Sequence, residues 1–146
     1  MTFERDIKEL EADLLGRVPY GVVVNINGIE GFDRTLVCLT REYTNKPLLA
    51  CVSSDTYEVY LPNTYGLDEV RPYLRPYLDM TEQELREWHE LCECDDGDFT
   101  GETMYFHTCE SFEYLNSIHI DYRNLIARGL ALRAPEGMYE KKGGEL

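Results

Sequence analysis

The sequence predicts an α+β fold: an N-terminal helix, a four- or five-stranded antiparallel sheet or small SH3-like barrel, a proline strap, and two or three C-terminal helices. Three observations carry that expectation. An apolar period of three to four residues in the first sixteen positions gives way at Val18 to a β-branched run. A doubled Arg-Pro-Tyr-Leu step, Arg71–Leu74 and Arg75–Leu78, then interrupts the β pattern. Immediately afterwards Met80-Thr81-Glu82-Gln83-Glu84-Leu85 spells a complete helix opening. At 146 residues the chain reads as one domain, long enough to bury roughly 70% of its unfolded surface. Residues 1–66 form a helix plus β half, 67–80 a proline crossover, 81–139 a helical half and 140–146 a flexible tail.

Taken in order, Phe3, Ile7, Leu10 and Leu14 form the stripe of an amphipathic helix, with Thr2 as its cap and Gly16 in the C′ position. Too short to be stable alone, that helix needs a sheet to cover. Val18–Gly28 ends in Asn27-Gly28, a strong hairpin signal, with Ile29–Phe32 as the return run. Further strands are expected at Thr35–Thr40, Leu48–Ser53 and Thr56–Leu61, with Pro62–Gly66 as a separator. Pro72 and Pro76 hold Arg71 and Arg75 out of the helical region, so this stretch runs extended or in turns. Tyr73, Leu74, Tyr77 and Leu78 are its expected apolar contacts, and Asp79 and Glu69 the expected partners of its arginines.

Thr81 caps the next helix, Glu84 reaches back as the third residue, Met80 staples onto Leu85, and Leu85, Trp88 and Leu91 or Cys92 form the inner face. Asp95–Gly101 reads as a loop and Thr103–His107 as a short strand. Ser111 is expected to cap a helix with Phe112, Leu115 and Ile118 inside, and Asp121 a further turn over Tyr122–Arg128 closed by Gly129. Leu130–Leu132 could close the fold as a last strand.

Charge is the most uneven property of the chain. Net charge is −14, from 14 basic and 28 acidic residues. The segment Asp79–Glu113 holds twelve acids against a single base, Arg86, and so carries −11 of the total. A field of that sign disfavours direct nucleic-acid binding. Such a run is ordinarily a solvated helix face and loop; its functional reading is an interaction surface for a basic protein partner, built on Glu87, Glu90, Glu93, Asp95, Asp96 and Asp98. The start of the chain is charged and helical rather than signal-like, and no apolar run approaches the roughly 20 residues of a membrane span. Five cysteines, an odd number, then read as reduced thiols of a cytoplasmic protein.

Cys92-x-Cys94 and His107-x-Cys109 give the outline of a zinc site, two close ligand pairs separated by a longer loop. Cys-x-Cys is not the usual knuckle spacing, and buried cysteines are ordinarily small core residues. A small hydrolase with Cys109 as nucleophile and His107 or His119 as base, or a His119/Asp121 pair, is a further alternative; it lacks an accompanying signature. An EF-hand is excluded, because a loop with Gly97 in sixth place puts Cys92 and Cys94 where oxygen ligands belong. No phosphate-cradling glycine motif and no His-Glu-x-x-His is present.

The crossover EVRPYLRPYLDMTEQE and the C-terminal stretch ESFEYLNSIHIDYRNLIARGLALRAPEGMY resemble segments of a family of small uncharacterised proteins of gut Bacteroides and of their phages and mobile elements. About a third of the chain carries the resemblance, at Arg71–Glu84 and Tyr114–Ala131. It implies a mobile-element or phage origin and no particular reaction. The candidate zinc ligands fall largely between the matching segments. The function expected on these grounds is a non-enzymatic protein-interaction module, with a zinc-stabilised module and a Cys/His hydrolase as alternatives.

Overall fold

The structure, a computed structural model, describes residues 4–41, 48–53, 63–96, 103–106 and 108–139, with the main chain alone at 4, 63, 93–96 and 103–106. Helix α1 (Glu4–Arg17) leads through a 3-10 turn to β1 (Val23–Ile26), β2 (Asp33–Thr40), β3 (Leu49–Val52), β4 (Asn63–Gly66) and β5 (Val70–Leu74). Helix α2 (Glu82–Leu91), the hairpin β6 (Glu93–Asp96) and β7 (Thr103–Phe106), helix α3 (Cys109–Ser117) and the short β8 (Leu132–Arg133) follow. The main sheet has the order β4-β3-β2-β1-β5-β8. It is antiparallel except for the parallel β5–β8 pair. β4 and β8 stand at its two ends, with no pairing between them among the described residues.

The core explains why α1 is needed. Leu10 and Leu14 are buried from the helix side, and they join Val22, Val24, Ile26, Leu36, Ala50, Val70 and Leu74 from the sheet side. Each Val, Leu or Ile side chain so removed from water contributes about 1.5–3 kcal/mol. Gly16 does not end this helix, which runs to Arg17. A Cβ there would lie 2.7 Å from Asn116 Nδ2, so the glycine marks where α1 meets α3.

Asn27 and Gly28 have φ of 56° and 67°, and the Ile29 amide donates to the Ile26 carbonyl at 3.1 Å; this is the expected hairpin turn. The run after it is a second turn rather than a strand, closed by the Phe32 amide on the Ile29 carbonyl. The return strand therefore begins at Asp33. Asn63–Gly66, expected as a separator, is an edge strand paired with β3 from Val52↔Asn63 to Leu49↔Gly66. The expected strand Thr56–Leu61 lies outside the described residues.

The first Arg-Pro-Tyr-Leu step is not a strap over the sheet but part of it. β5 lies between β1 and β8, with Pro72 opposite Val24. An interior proline is tolerated here for a geometric reason. The Asn27 amide donates to the Glu69 carbonyl, so the hydrogen-bonded rungs toward β1 fall at Glu69, Arg71 and Tyr73. Pro72 therefore turns its missing N–H the other way, toward β8, whose pairing starts only at Tyr73↔Leu132. The second step leaves the sheet. Tyr77–Asp79 is a 3-10 turn, Leu74 is fully buried, and Leu78, expected as an apolar contact, is 96% exposed.

In the C-terminal half, the strand expected at Thr103–His107 is present as Thr103–Phe106; it pairs with Glu93–Asp96, whose last two residues, Asp95 and Asp96, were expected in a loop. Thr108, not Ser111, caps α3: Thr108 Oγ1 accepts from the Ser111 amide at 3.0 Å and Ser111 Oγ accepts from the Thr108 amide at 2.8 Å. Leu115 is buried but Phe112 is exposed. Asp121 does cap the following segment, accepting from the Leu125 and Ile126 amides at 2.9 and 3.0 Å. That segment is a set of turns closed at Gly129 rather than a helix. No described helix is long and apolar enough to cross a membrane.

Candidate functional site

The acidic helix is held by one arginine. Arg75 directly follows β5 and bridges in parallel to Ile120, its amide donating to the His119 carbonyl and its carbonyl accepting from the Asp121 amide. Its guanidinium grips Glu84 with two bonds, Nη1 to Oε2 at 2.9 Å and Nη2 to Oε1 at 2.7 Å. It also donates to the Ile118 and Asp79 carbonyls. Glu84 in turn accepts from the Thr81 amide at 2.9 Å while Thr81 Oγ1 accepts from the Glu84 amide, which completes the expected capping box. The bond to Arg75 holds the Glu84 carboxyl below its ordinary range, and the same bond raises the guanidinium. The arginine was expected to pair with Asp79 or Glu69. Glu84 wins because a planar guanidinium meets a carboxylate best with two parallel bonds. The Asp79 carboxylate is taken by Arg133 at 2.8 Å, and Glu69 accepts from the Gly66 amide.

With Glu84 turned inward, the other acids of α2 face water. No residue of this ten-residue helix is fully buried. Glu82, Glu87 and Glu90 are exposed on it, and Glu110 and Glu113 are exposed on α3. The two helices are joined by Tyr114 Oη, which donates to Glu87 Oε2 at 2.5 Å. Gln83 donates to Glu87 as well, and these bonds, Gln83 first, lower the Glu87 carboxyl. Burial, then the bond to Glu87, raises the Tyr114 phenol. Tyr20 Oη donates to Glu113 at 2.9 Å. The expected inner face of α2 is thinner than its pattern suggested: Leu85 is 41% exposed, and Trp88 and Leu91 are half-buried. The Tyr77 ring stands 5.9 Å from Trp88. Of the six acids singled out for an interaction surface, Glu87 and Glu90 are therefore placed on an exposed face. The side chains of Glu93, Asp95 and Asp96, and the whole of Asp98, lie outside the described residues.

Two of the candidate zinc residues, Cys92 and Cys109, sit where α2 and α3 meet. Cys92 is buried at the end of α2, and Cys109 is exposed at the first position of α3. Thr108 Oγ1 donates to the Leu91 carbonyl at 2.7 Å, which draws these two ends together. The main chain of Cys94 lies opposite Tyr105; its side chain and His107 lie outside the described residues. No cluster of three metal-ligating side chains occurs among the described residues.

His119 and Asp121 serve the fold. Both Asp121 oxygens cap the following turn, and no hydrogen bond joins the two side chains among the described residues. Cys109 opens the nine-residue α3 and His119 lies two positions beyond its last residue, Ser117, so a helix roughly 13 Å long separates them. Neither arrangement is that of a nucleophile–base dyad. His119 is buried in a left-handed backbone position, φ 61°, and stacks on Tyr139 with centroids 3.8 Å apart. Burial, then the Arg17 charge, pushes it down to about 4.

Two features of this interior escape a linear reading. Asp13 and Arg17, both fully buried, form a bidentate pair at 2.8 and 3.1 Å, and Arg17 Nη2 also donates to the Ile120 carbonyl at 2.6 Å. Their positions, three and seven after Leu10, put them inside the apolar stripe, which was the available signal. Tyr139 Oη accepts from the Val23 amide at 2.9 Å and donates to the Tyr73 carbonyl at 2.8 Å. A phenol thus occupies the last rung of the β1–β5 ladder, and burial pushes it up to about 12. No protein-family model, no curated protein and no solved structure matches this chain.

Proposed function

We propose that this chain is a non-enzymatic protein-interaction module that presents its acidic α2–α3 face to a basic segment of a partner protein in the cytoplasm. The observation that carries the reading is the disposition of α2: a helix capped and clamped by Arg75, with no residue fully buried and with Glu82, Glu87 and Glu90 turned outward. Rigid placement of like charges costs self-repulsion, which a basic partner removes. Leu78, exposed in the turn before this helix, and Leu85, exposed in its first turn, supply apolar area such a contact needs beyond charge. The buried Asp13–Arg17 pair and the capping Asp121 are committed to structure, which also favours a binding role over catalysis. A phage or mobile-element origin rests on the resemblance alone.

The test is binding of a Lys/Arg-rich peptide, followed by fluorescence anisotropy as salt rises from about 0.05 to 0.3 M, a range over which surface charge becomes screened. Affinity that falls steeply with salt supports the reading. Absence of binding at the low end, or binding indifferent to salt, ends it.

The convergence of Cys92 and Cys109 across the Thr108–Leu91 bond favours a second reading, a zinc-stabilised module using Cys92, Cys94, His107 and Cys109. Elemental analysis of purified protein decides it: one zinc per chain supports the site, and a content near zero removes it.

A further inference from the structure

The outer face of the sheet carries a pair of thiols brought together by an irregularity in β2. Leu36 lies opposite Val52, but Cys38 rather than Val37 lies opposite Cys51, after which Leu39 faces Ala50. Two residues of β2 thus oppose one of β3, a β-bulge. Its cause is legible in the burial pattern. Leu36 is buried and Leu39 packs against the core, as do their partners Val52 and Ala50. Leucines three apart in a strand cannot share a face without an extra residue between them. The bulge absorbs that residue and leaves Val37 and Cys38 exposed on the outer face, opposite the half-buried Cys51.

Directly opposed residues of an antiparallel pair have Cα atoms about 4.5–5.5 Å apart, within the roughly 4.4–6.8 Å that a disulfide spans. Burial, then the neighbouring Cys38 thiol, raises Cys51. Both are reduced. A register in which Val37 faced Cys51 would have set the thiols on opposite sides of the sheet.

We infer that Cys38 and Cys51 form a reversible dithiol–disulfide site that exchanges with low-molecular-weight disulfides. The exposed Cys38 is the entry thiol. Its thiolate attacks one sulfur of the small disulfide; that S–S bond breaks, a mixed disulfide forms on Cys38, and the released thiolate takes up the proton Cys38 gave. Cys51 then loses its proton and attacks Cys38 Sγ. The mixed disulfide breaks, the Cys38–Cys51 bond forms, and the second small thiol leaves protonated. The chain gives up two electrons and two protons; the small disulfide becomes two thiols. The product staples β2 to β3. This inference is independent of the acidic-face reading.

The experiment equilibrates the folded full chain with oxidised and reduced glutathione, blocks remaining thiols with an alkylating agent, and maps cysteine states by peptide mass spectrometry. A Cys38–Cys51 link with little glutathione on Cys38 is expected, while the exposed Cys109 carries glutathione only as a mixed disulfide. In Cys51→Ser, glutathione on Cys38 should rise by about tenfold or more, because the neighbouring thiol no longer expels it. The same treatment in urea should scatter the links among the cysteines. A stable Cys38 mixed disulfide in the wild-type chain, or links no more selective when folded than in urea, overturns the inference.

Discussion

Two regions of the molecule use charge in opposite ways. On the α1–sheet side, Asp13 and Arg17 are both fully buried and pair with one another, and Arg17 also donates to the Ile120 carbonyl. On the α2 side, only Glu84 is drawn inward, and Glu82, Glu87 and Glu90 face water. Buried charges must be paired, because an uncompensated one is expensive in a poorly solvated interior. Exposed charges are cheap to keep and easy to change. Acids of the first region therefore hold the fold, and acids of the second are disposable to it. A residue kept for reasons other than stability should be sought in the second region.

The largest expected effect lies in the first region. Asp13→Ala strands the Arg17 guanidinium and should cost about 3–5 kcal/mol, read as a lowered urea midpoint; a loss below about 1 kcal/mol would mean that water reaches the pair. Next is a pH effect at His119. Its folded value near 4 lies below the ordinary 6.5, so the unfolded chain takes the proton first. Stability should be full above about pH 6.5, fall as pH drops toward 4 and level off below it. The loss attributable to His119 at pH 4.5 is about 2–3 kcal/mol. His119→Asn, which tolerates the left-handed backbone, should flatten that slope relative to wild type; equal slopes would place the proton elsewhere.

Tyr139→Phe removes a hydroxyl that serves both β1 and β5 and leaves the Val23 amide and Tyr73 carbonyl unpaired. About 1–3 kcal/mol should be lost, with faster amide exchange at Val23. In the second region the expected effects shrink. Thr81→Ala removes one cap bond and should cost about 1 kcal/mol; an unchanged midpoint would move the start of α2 elsewhere.

Local chemistry was readable in the sequence, and long-range geometry was not. Asn27-Gly28 and the Thr81/Glu84 box involve neighbours in the chain, so residue type and spacing suffice. The α+β class and the N-terminal helix followed from periodicity. Pro72 misled because its missing N–H falls on the side of β5 that needs no donor at that position, a matter of register. Ser111 misled because Thr108, three residues earlier, is an equally good cap and is the one tied to Leu91. Tyr139 reaches across 116 residues to Val23, a separation no local pattern encodes. The acids were legible as a composition bias; their division into an inward Glu84 and outward neighbours depends on Arg75.

The direct test of the acidic face compares two pairs of charge reversals of equal net charge. One is Glu82→Lys with Glu90→Lys on α2. The other is Glu30→Lys with Glu136→Lys at exposed sites elsewhere. Both should leave stability within about 0.5 kcal/mol of wild type. At low salt the α2 pair should weaken binding of the Lys/Arg-rich peptide by about tenfold or more, and the control pair by no more than about twofold. Equal losses from both pairs would contradict the account, because net charge rather than this face would then govern the interaction.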